Sequence, residues 1–326
     1  MRPSSEFSLI RAIKASANGV ALYSEELKMS NAGKAEHRSA GIQINDTASI
    51  FLPTQSRSII SAGGAGYGKE AISEEKLAVV GALHNQLVLV KAGATFLTGL
   101  QGDVSIPKYS GSNAKWAGEN DAAEDGAGTT SEVNLTPKRL TTYIDVSTLF
   151  LNQDVVGFEE MLLNDIVTAV AVKLESTILG DGSASVTTPG GIFAGASSIG
   201  ALSWHGIVSL ESEVATEKDA YITNSFGRGA FKTTPKTSGS PAYIWQDNEV
   251  NGYPCLVTNA VFEDASSYGV AFGNWKELVI GQFGAIELTV DTISQKVNGN
   301  VRLVINAYFD SGIVRDEAFK IGTVLK

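Results

Sequence analysis

Apolar side chains recur every four positions between residues 158 and 179: Phe158, Leu162, Ile166, Val170, Leu174 and Ile178, with Glu159, Glu160, Asn164 and Asp165 between them. At 3.6 residues per turn this spacing draws one apolar stripe along a helix of about six turns. Gly180-Asp181-Gly182 ends it, and Thr188-Pro189-Gly190-Gly191-Ile192 turns the chain. A second helical pattern runs over 4–28, with Phe7, Leu9, Ile10, Ile13 and Ala17 on one side, Ser4 or Ser5 as cap, and Gly19 as kink or end. Asn31 to Asp46 is polar and reads as mobile or extended. β-type runs follow at Ile42-Gln43-Ile44 and Ser49-Ile50-Phe51-Leu52. Glu74 to Val80 reads as helix, Val88-Leu89-Val90 as strand, and Ala94 to Leu97 leads onward.

From Gly102 to Leu140 the pattern changes. Ile106-Pro107-Lys108 runs out, Lys115-Trp116-Ala117-Gly118-Glu119 follows, and the tip is acidic and glycine-rich (Asp121, Glu124, Asp125, Gly126, Gly128). Val133-Asn134-Leu135-Thr136-Pro137-Lys138-Arg139-Leu140 returns. Loose alternation with turn residues crowded at the tip predicts a two-stranded arm. Such an arm cannot bury its own faces, so it needs a neighbour. The same reasoning puts the N-terminal helix across another part of an assembly, since alone it has too little core.

A second lobe is expected over 198–284. It holds a helix at Trp204–Thr216, a core strand at Ala220-Tyr221-Ile222-Thr223 and a short helix at Gly227–Phe231. Further strands follow at Pro254–Thr258, Gly269–Phe272 and Glu277–Gly281, with Tyr243-Ile244-Trp245 after a turn-rich loop. Ile286–Ile293 and Val301–Tyr308 are two long β runs joined across Asn298-Gly299-Asn300, a strong turn signal. No repeat of 20–50 residues is present.

The chain has 326 residues, enough for a large core and two or three lobes. Only 18% are charged against 43% hydrophobic, which favours surface covered by self-association. A net charge of −10 with no basic run beyond Lys138-Arg139 argues against gripping nucleic acid, since phosphate contacts need clustered cations. It permits enclosing DNA without gripping it. The lone Cys255 sits in an apolar stretch, reads as a core residue and excludes an intrachain disulfide. The N-terminus lacks the apolar core of a signal peptide, and no window reaches membrane-span length.

Catalytic patterns are weak. His37, His84 and His205 are scattered, with no partner at metal-ligand spacing. No Gly-x-Ser-x-Gly elbow occurs. Gly63-Gly64-Ala65-Gly66-Tyr67-Gly68 lacks the Lys-Ser/Thr of a phosphate loop and reads as a linker. The acidic tip has oxygen ligands but not calcium-loop spacing. Glu119 beside Trp116 resembles one half of a glycosidase pair, without a second carboxylate at defined geometry. No catalytic, cofactor-binding or metal residue is assigned, and no cofactor. The candidate subunit-interface residues are Phe7, Ile10, Ile13, Lys108, Trp116, Glu119, Asp121, Glu124, Asp125, Arg139, Tyr243 and Trp245.

With these residues in view, the chain resembles major capsid proteins of tailed bacteriophages with the Hong Kong 97-like fold. Ile106-Pro107 and Trp116-Ala117-Gly118-Glu119 resemble the extended loop, and Leu135-Thr136-Pro137-Lys138-Arg139-Leu140 with Val146-Ser147 its returning strand. Phe158 to Gly182 resembles the spine helix and its end, and Pro189-Gly190-Gly191-Ile192 the turn after it. Gly252-Tyr253-Pro254 and Phe272-Gly273-Asn274-Trp275 resemble elements of the axial lobe, with Asn274 where Asp is usual.

The resemblance implies an α+β fold with an N-terminal arm (1–52), the start of a peripheral domain (53–100) and an extended β-hairpin loop (101–140). The peripheral domain would continue over 141–197 with its spine helix at 157–179. An axial domain (198–284) and peripheral return strands (285–326) would complete it. It implies a structural, non-enzymatic virion protein whose copies form the pentamers and hexamers of an icosahedral head around double-stranded DNA. Assembly would take place in the bacterial cytoplasm, with portal, scaffolding and possibly cement proteins as partners and no membrane. The chain lacks the long N-terminal scaffolding segment of many relatives, which suggests a mature form or a separate scaffold. Lys108 and Lys115 lie in the loop, but the Glu and Asn of an isopeptide crosslink find no match, so no crosslink is expected. Alternatives are an encapsulin-type compartment, a carbohydrate-active enzyme using Glu119, and a tail-tube or decoration protein, which would lack the spine helix.

Overall fold

The structure, a computed structural model, describes residues 7–44, 49–53, 83, 86–109, 111–112, 114–116, 125–152, 158–214, 217, 219–237, 239 and 241–326. The glycine cluster 63–68, the helix expected at 74–80, His84, and Glu119, Asp121 and Glu124 lie outside these residues. In chain order the elements are α1 (Leu9–Ala17), α2 (Ser24–Ser39), β1 (Ser49–Leu52), α3 (Val88–Ala92), β2 (Thr95–Leu100), β3 (Val104–Tyr109), β4 (Thr130–Leu135), β5 (Lys138–Ser147), α4 (Thr148–Asn152) and α5 (Phe158–Ile178). There follow β6 (Ser197–Ala201), α6 (Trp204–Glu213), β7 (Ala220–Thr223), α7 (Ser225–Thr233), β8 (Trp245–Gln246), β9 (Glu249–Val250), β10 (Tyr253–Val257), β11 (Ser267–Gly273), β12 (Leu278–Asp291), β13 (Asn300–Ile313) and β14 (Phe319–Leu325).

Three sheets organise the chain. The first runs β1-β12-β13-β5, with β2 also beside β12, in parallel. The second runs β6-β14-β11-β7-β10-β9-β8, and β3 and β4 form a separate hairpin. β5 and β13 of the first sheet alternate in burial, whereas β12 between its neighbours is buried almost throughout. Ile280, Leu288, Leu303, Ile305 and Phe309 face one core together with Leu162, Ile166, Val170 and Leu174 of α5 and Leu9, Ala12 and Ile13 of α1. The opposite face carries α2 at one end. At the other, Leu135 of β4 packs on Val279 and Phe283. The same core reaches the second sheet through Ile222, Ala271 and Phe319. Trp275 ties the two: its indole N–H donates to the Ala220 carbonyl at 2.9 Å, and its ring meets Phe319 edge-on.

Several expectations need correction. The N-terminal cap is Ser8 rather than Ser4 or Ser5, its Oγ accepting from the Arg11 amide at 3.3 Å, while α1 does end before Gly19, whose φ is +66°, as one of the two expectations for that glycine had it. Asn31 to Ser39, expected to be mobile or extended, is helical. Its buried stripe is Glu26, Ser30, Gly33 and His37, helically spaced but not apolar, so hydrophobic periodicity is blind to it. These N-terminal helices pack on β1 and β12 of the chain's own first sheet. Gly33 sits so close to Phe51 that an added Cβ would come within 2.6 Å of that side chain. Ile42-Gln43-Ile44 forms no strand.

Val88-Leu89-Val90 is a helix start, because the buried Glu175 carboxylate of α5 accepts from the Val88 and Leu89 amides at 2.7 and 3.1 Å. A tertiary partner supplies that cap, so no local signal announces it. Asn298-Gly299-Asn300 ends a short 3-10 turn over Lys296–Asn298 instead of making a two-residue hairpin turn. β14, expected among the peripheral return strands, pairs instead with β11 and β6 in the second sheet. β12 and β13 are both 14 residues long, extending beyond the runs read from the sequence.

Candidate assembly surfaces

The arm is built from its root outward. Its root sits on glycines of the first sheet: a Cβ at Gly281 would fall 2.7 Å from Leu100 Cδ1, and one at Gly312 2.5 Å from Val133 Cγ1. At the corner between β4 and β5, Asp310 does three jobs. It pairs with Lys138 Nζ at 2.7 Å, and it accepts from the Thr136 and Ser311 amides at 2.9 Å each. Asp310 is 2% exposed and Lys138 12%, so the pair is shielded from water. Lys108 reaches Asp316 at 3.7 Å and ties β3 to the 3-10 turn that follows β13.

Beyond this root the arm is bare. Along β3 and β4 the side chains are exposed or half-buried until Leu135. The strands are held by their ladder and by Ser105 Oγ donating to Glu132 at 2.6 Å, which with Asn134 holds that carboxyl below its ordinary range. Toward the tip Tyr109 OH contacts Ser112 at 2.8 Å and accepts from the Gly128 amide. Gly128 lies so near the Gly111 carbonyl that a Cβ there would come within 2.0 Å of its oxygen. Trp116 is fully exposed, with a relative accessibility of 104%.

The other interface candidates divide. Asp125, Arg139 and Tyr243 are exposed, and Lys108 is half-buried. Phe7 and Ile10 are partly buried against the main core, and Ile13 is wholly inside it. Trp245 is buried in the second lobe's core, under Lys232 at 5.7 Å. Ile13 and Trp245 therefore have little surface to offer a neighbour. Their apolar character marked a core position, which composition alone cannot separate from an interface anchor.

Buried polar joints, missed by sequence reasoning, fix the lobes in place. Burial raises the pKa of Glu175, which also accepts from Thr258 Oγ1 at 3.0 Å and so links α5, α3 and the end of β10. His37 is buried between the edges of Phe51 and Tyr308. Its Nδ1 accepts from the Ala285 amide at 3.0 Å, beside Gly284 at the bulge in β12. Burial lowers its pKa, opposed by Glu287 and Glu36. Glu211 accepts from Tyr221 OH and from Asn251 Nδ2 at 2.6 Å, anchoring the β9–β10 turn where Asn251 has φ +54°. Asn274 caps a 3-10 turn through the Lys276 amide at 3.1 Å. Cys255 is 6% exposed, and burial raises its thiol pKa, a core thiol rather than a nucleophile.

Among the described residues, no three His, Cys, Asp or Glu side chains are grouped to hold a metal. None of their helices is long and apolar enough to cross a membrane.

Two sheets on one core, a long helix laid across the first, and a bare hairpin springing from its far face form the α+β, Hong Kong 97-like architecture of phage capsid subunits. The model of the phage capsid family matches residues 76–324, most of the chain, and the chain belongs to that family. It is 28% identical over 336 aligned residues to the major capsid protein of Halomonas phage phiHAP-1, covering 98% of this chain and 54% of that one. With the major capsid protein of Klebsiella oxytoca phage phiKO2 it shares 22% identity, over 79% of this chain and 66% of that one. The chain thus spans between about half and two thirds of the length of these relatives. Among solved structures, a capsid chain of the native GTA particle superposes with a TM-score of 0.60 at 16% identity, covering 83% of this chain and all of that one. A chain of Mycobacterium phage Bobi gives 0.57 at 12% identity, over 82% and 96%. At these identities the likeness establishes the fold.

Proposed function

We propose that the protein is a major capsid protein, a structural virion component without enzymatic activity. Its copies associate into pentamers and hexamers and close an icosahedral shell around double-stranded DNA. The observation that carries this is the arm: a hairpin rooted firmly in the first sheet and mostly exposed beyond it among the described residues, with Trp116 fully exposed. Neighbouring copies supply the missing cover. Interfaces of this permanent kind bury roughly 2,000 Å² or more, and heterologous contacts whose rotations close give rings. The names of the relatives and the family membership support the reading.

In this reading the first sheet and α5 form a peripheral domain, and the second sheet an axial domain around the five- and six-fold axes. Tyr243, exposed on the second lobe, and Lys108, Trp116, Asp125 and Arg139 on or near the arm are contact candidates kept from the sequence. Portal, scaffolding and cement proteins are the expected partners, and assembly takes place in the bacterial cytoplasm. The net charge of −10 suits a wall that holds DNA without gripping it. Electron microscopy of the purified protein tests the proposal: closed shells are expected, and only compact 34.3 kDa monomers would overturn it.

A further inference from the structure

We infer that α7 and the loop after it carry a seat for the phosphates of double-stranded DNA, built by Arg228, Lys232 and Lys236. This deepens the shell reading and rests on it for the identity of the partner. Along the sequence the three cations form no basic run, since they stand four residues apart. The fold turns them into a stripe. Arg228 and Lys232 are exposed on α7, about 6 Å apart along its axis at 1.5 Å per residue. Gly227 and Phe231 take the buried side of the same helix. Lys236 follows in the loop, where its amide donates to the Ala242 carbonyl at 2.8 Å and the Ile244 amide donates to Thr234 at 3.0 Å. That pairing sets the exposed Tyr243 across from Pro235, beside the stripe.

Three features select the occupant. The first is missing charge balance: none of the three cations makes an ion pair among the described residues. Like charges four apart on a helix repel, and only Lys232, in the last turn of α7, is favoured there by the helix dipole. The lobe's own carboxylates are engaged elsewhere. Glu211 accepts from Tyr221 and Asn251, Glu213 pairs with Lys320, and Glu263 holds Lys326 and Asn224. Asp247 and Glu249 are exposed on the β8–β9 hairpin and pair with none of the three. The second feature is order. Lys232 Nζ lies 5.7 Å from the centre of the Trp245 ring, and Lys236 Nζ 4.5 Å from that of Trp204, so both ammonium groups are held on aromatic faces. The third is spacing. Charges of one DNA strand recur about every 3.4 Å along the duplex axis, so the turn from Arg228 to Lys232 spans about two of them. With a net charge of −10 per chain the contact stays weak and salt-sensitive, a tether at one place on an otherwise repelling wall.

The test uses full-length unassembled subunits and a fluorescently labelled DNA duplex, read by anisotropy. Binding is expected at low salt, with log affinity falling against log salt at a slope of about −2.7 for three phosphate contacts. The triple variant R228Q/K232Q/K236Q should lose about tenfold or more in affinity and most of that slope, with unchanged circular dichroism. A control triple, R139Q/K173Q/K296Q, removes the same charge from exposed cations elsewhere and should keep the slope. R228Q alone, at an exposed position inside the helix, should lower the slope by about 1. No binding by the unsubstituted subunit, equal losses in the two triples, or an unchanged slope in R228Q would overturn the seat. So would displacement of the duplex by poly-glutamate or by inorganic phosphate as readily as by unlabelled duplex. The first would mark an acidic protein segment as the partner, and the second a free anion. Shells are scored separately by electron microscopy of the unsubstituted protein. Their absence overturns the shell reading, whereas closed shells without duplex binding by the subunit overturn the seat alone.

Discussion

Two antiparallel hairpins in this chain share a ladder geometry and almost nothing else. β12 and β13 pair along most of their 14 residues, and nearly every side chain of β12 is buried. β3 and β4 pair over six residues, and most of their side chains face solvent. The long hairpin takes its stability from apolar burial on both faces, at roughly 25 cal/mol per Å². The short one has packing only at its root, and an isolated two-stranded hairpin is marginal in water. A backbone ladder therefore does not hold a hairpin in place; what lies on its faces does. In the short hairpin those faces are mostly exposed to solvent.

The largest break in this contrast should come from Asp310→Ala. It removes the shielded partner of Lys138 and the acceptor of the Thr136 and Ser311 amides, where the long hairpin holds the root of the short one. Breaking such a pair costs about 3–5 kcal/mol, read as a lowered denaturant midpoint of the unassembled subunit. Gly312→Val should cost about 1–3 kcal/mol, since the new side chain meets Val133 and unseats the arm root. Faster amide exchange in β4 than in β12 would locate the damage.

His37 sharpens the comparison through pH. Its pKa is lowered in the folded state, so the unfolded chain binds the proton more readily. Its contribution is complete above the ordinary histidine value of 6.5 and is lost as pH falls below it. Protonation also removes the acceptor of the Ala285 amide. Glu287 and Glu36 are the charged groups that temper the loss. The stability gap between the unsubstituted protein and His37→Gln should therefore narrow as pH drops from 7 to 5; a gap that stays constant would refute the role. The smallest effect belongs to the bare hairpin. Trp116→Ala should change subunit stability by no more than about 0.5 kcal/mol while impairing assembly, seen as fewer particles in sedimentation.

Much of this was legible residue by residue. The four-residue apolar spacing of Phe158 to Ile178 marks α5 because a helix can bury such a stripe in only one way. Ile106-Pro107 and Val133 to Leu135 mark the arm strands, and Ala220 to Thr223 the second lobe's core strand. α2 was not legible, since Ser30, Gly33 and His37 are buried for reasons of size and hydrogen bonding that hydropathy does not record. Nor was α3, whose cap comes from Glu175, 87 positions away from Val88. Ile13 and Trp245 looked like anchors for neighbours because an apolar side chain needs cover without saying whose.

What the chain alone determined is α5, most of the strands and the presence of an exposed arm, because periodicity and turn chemistry are local. The tertiary structure decided which strands share a sheet, that β14 closes the second sheet rather than the first, and which buried carboxylates tie the lobes together. Those choices rest on contacts between residues far apart in sequence, where the energy of a pairing depends on burial that no local stretch contains.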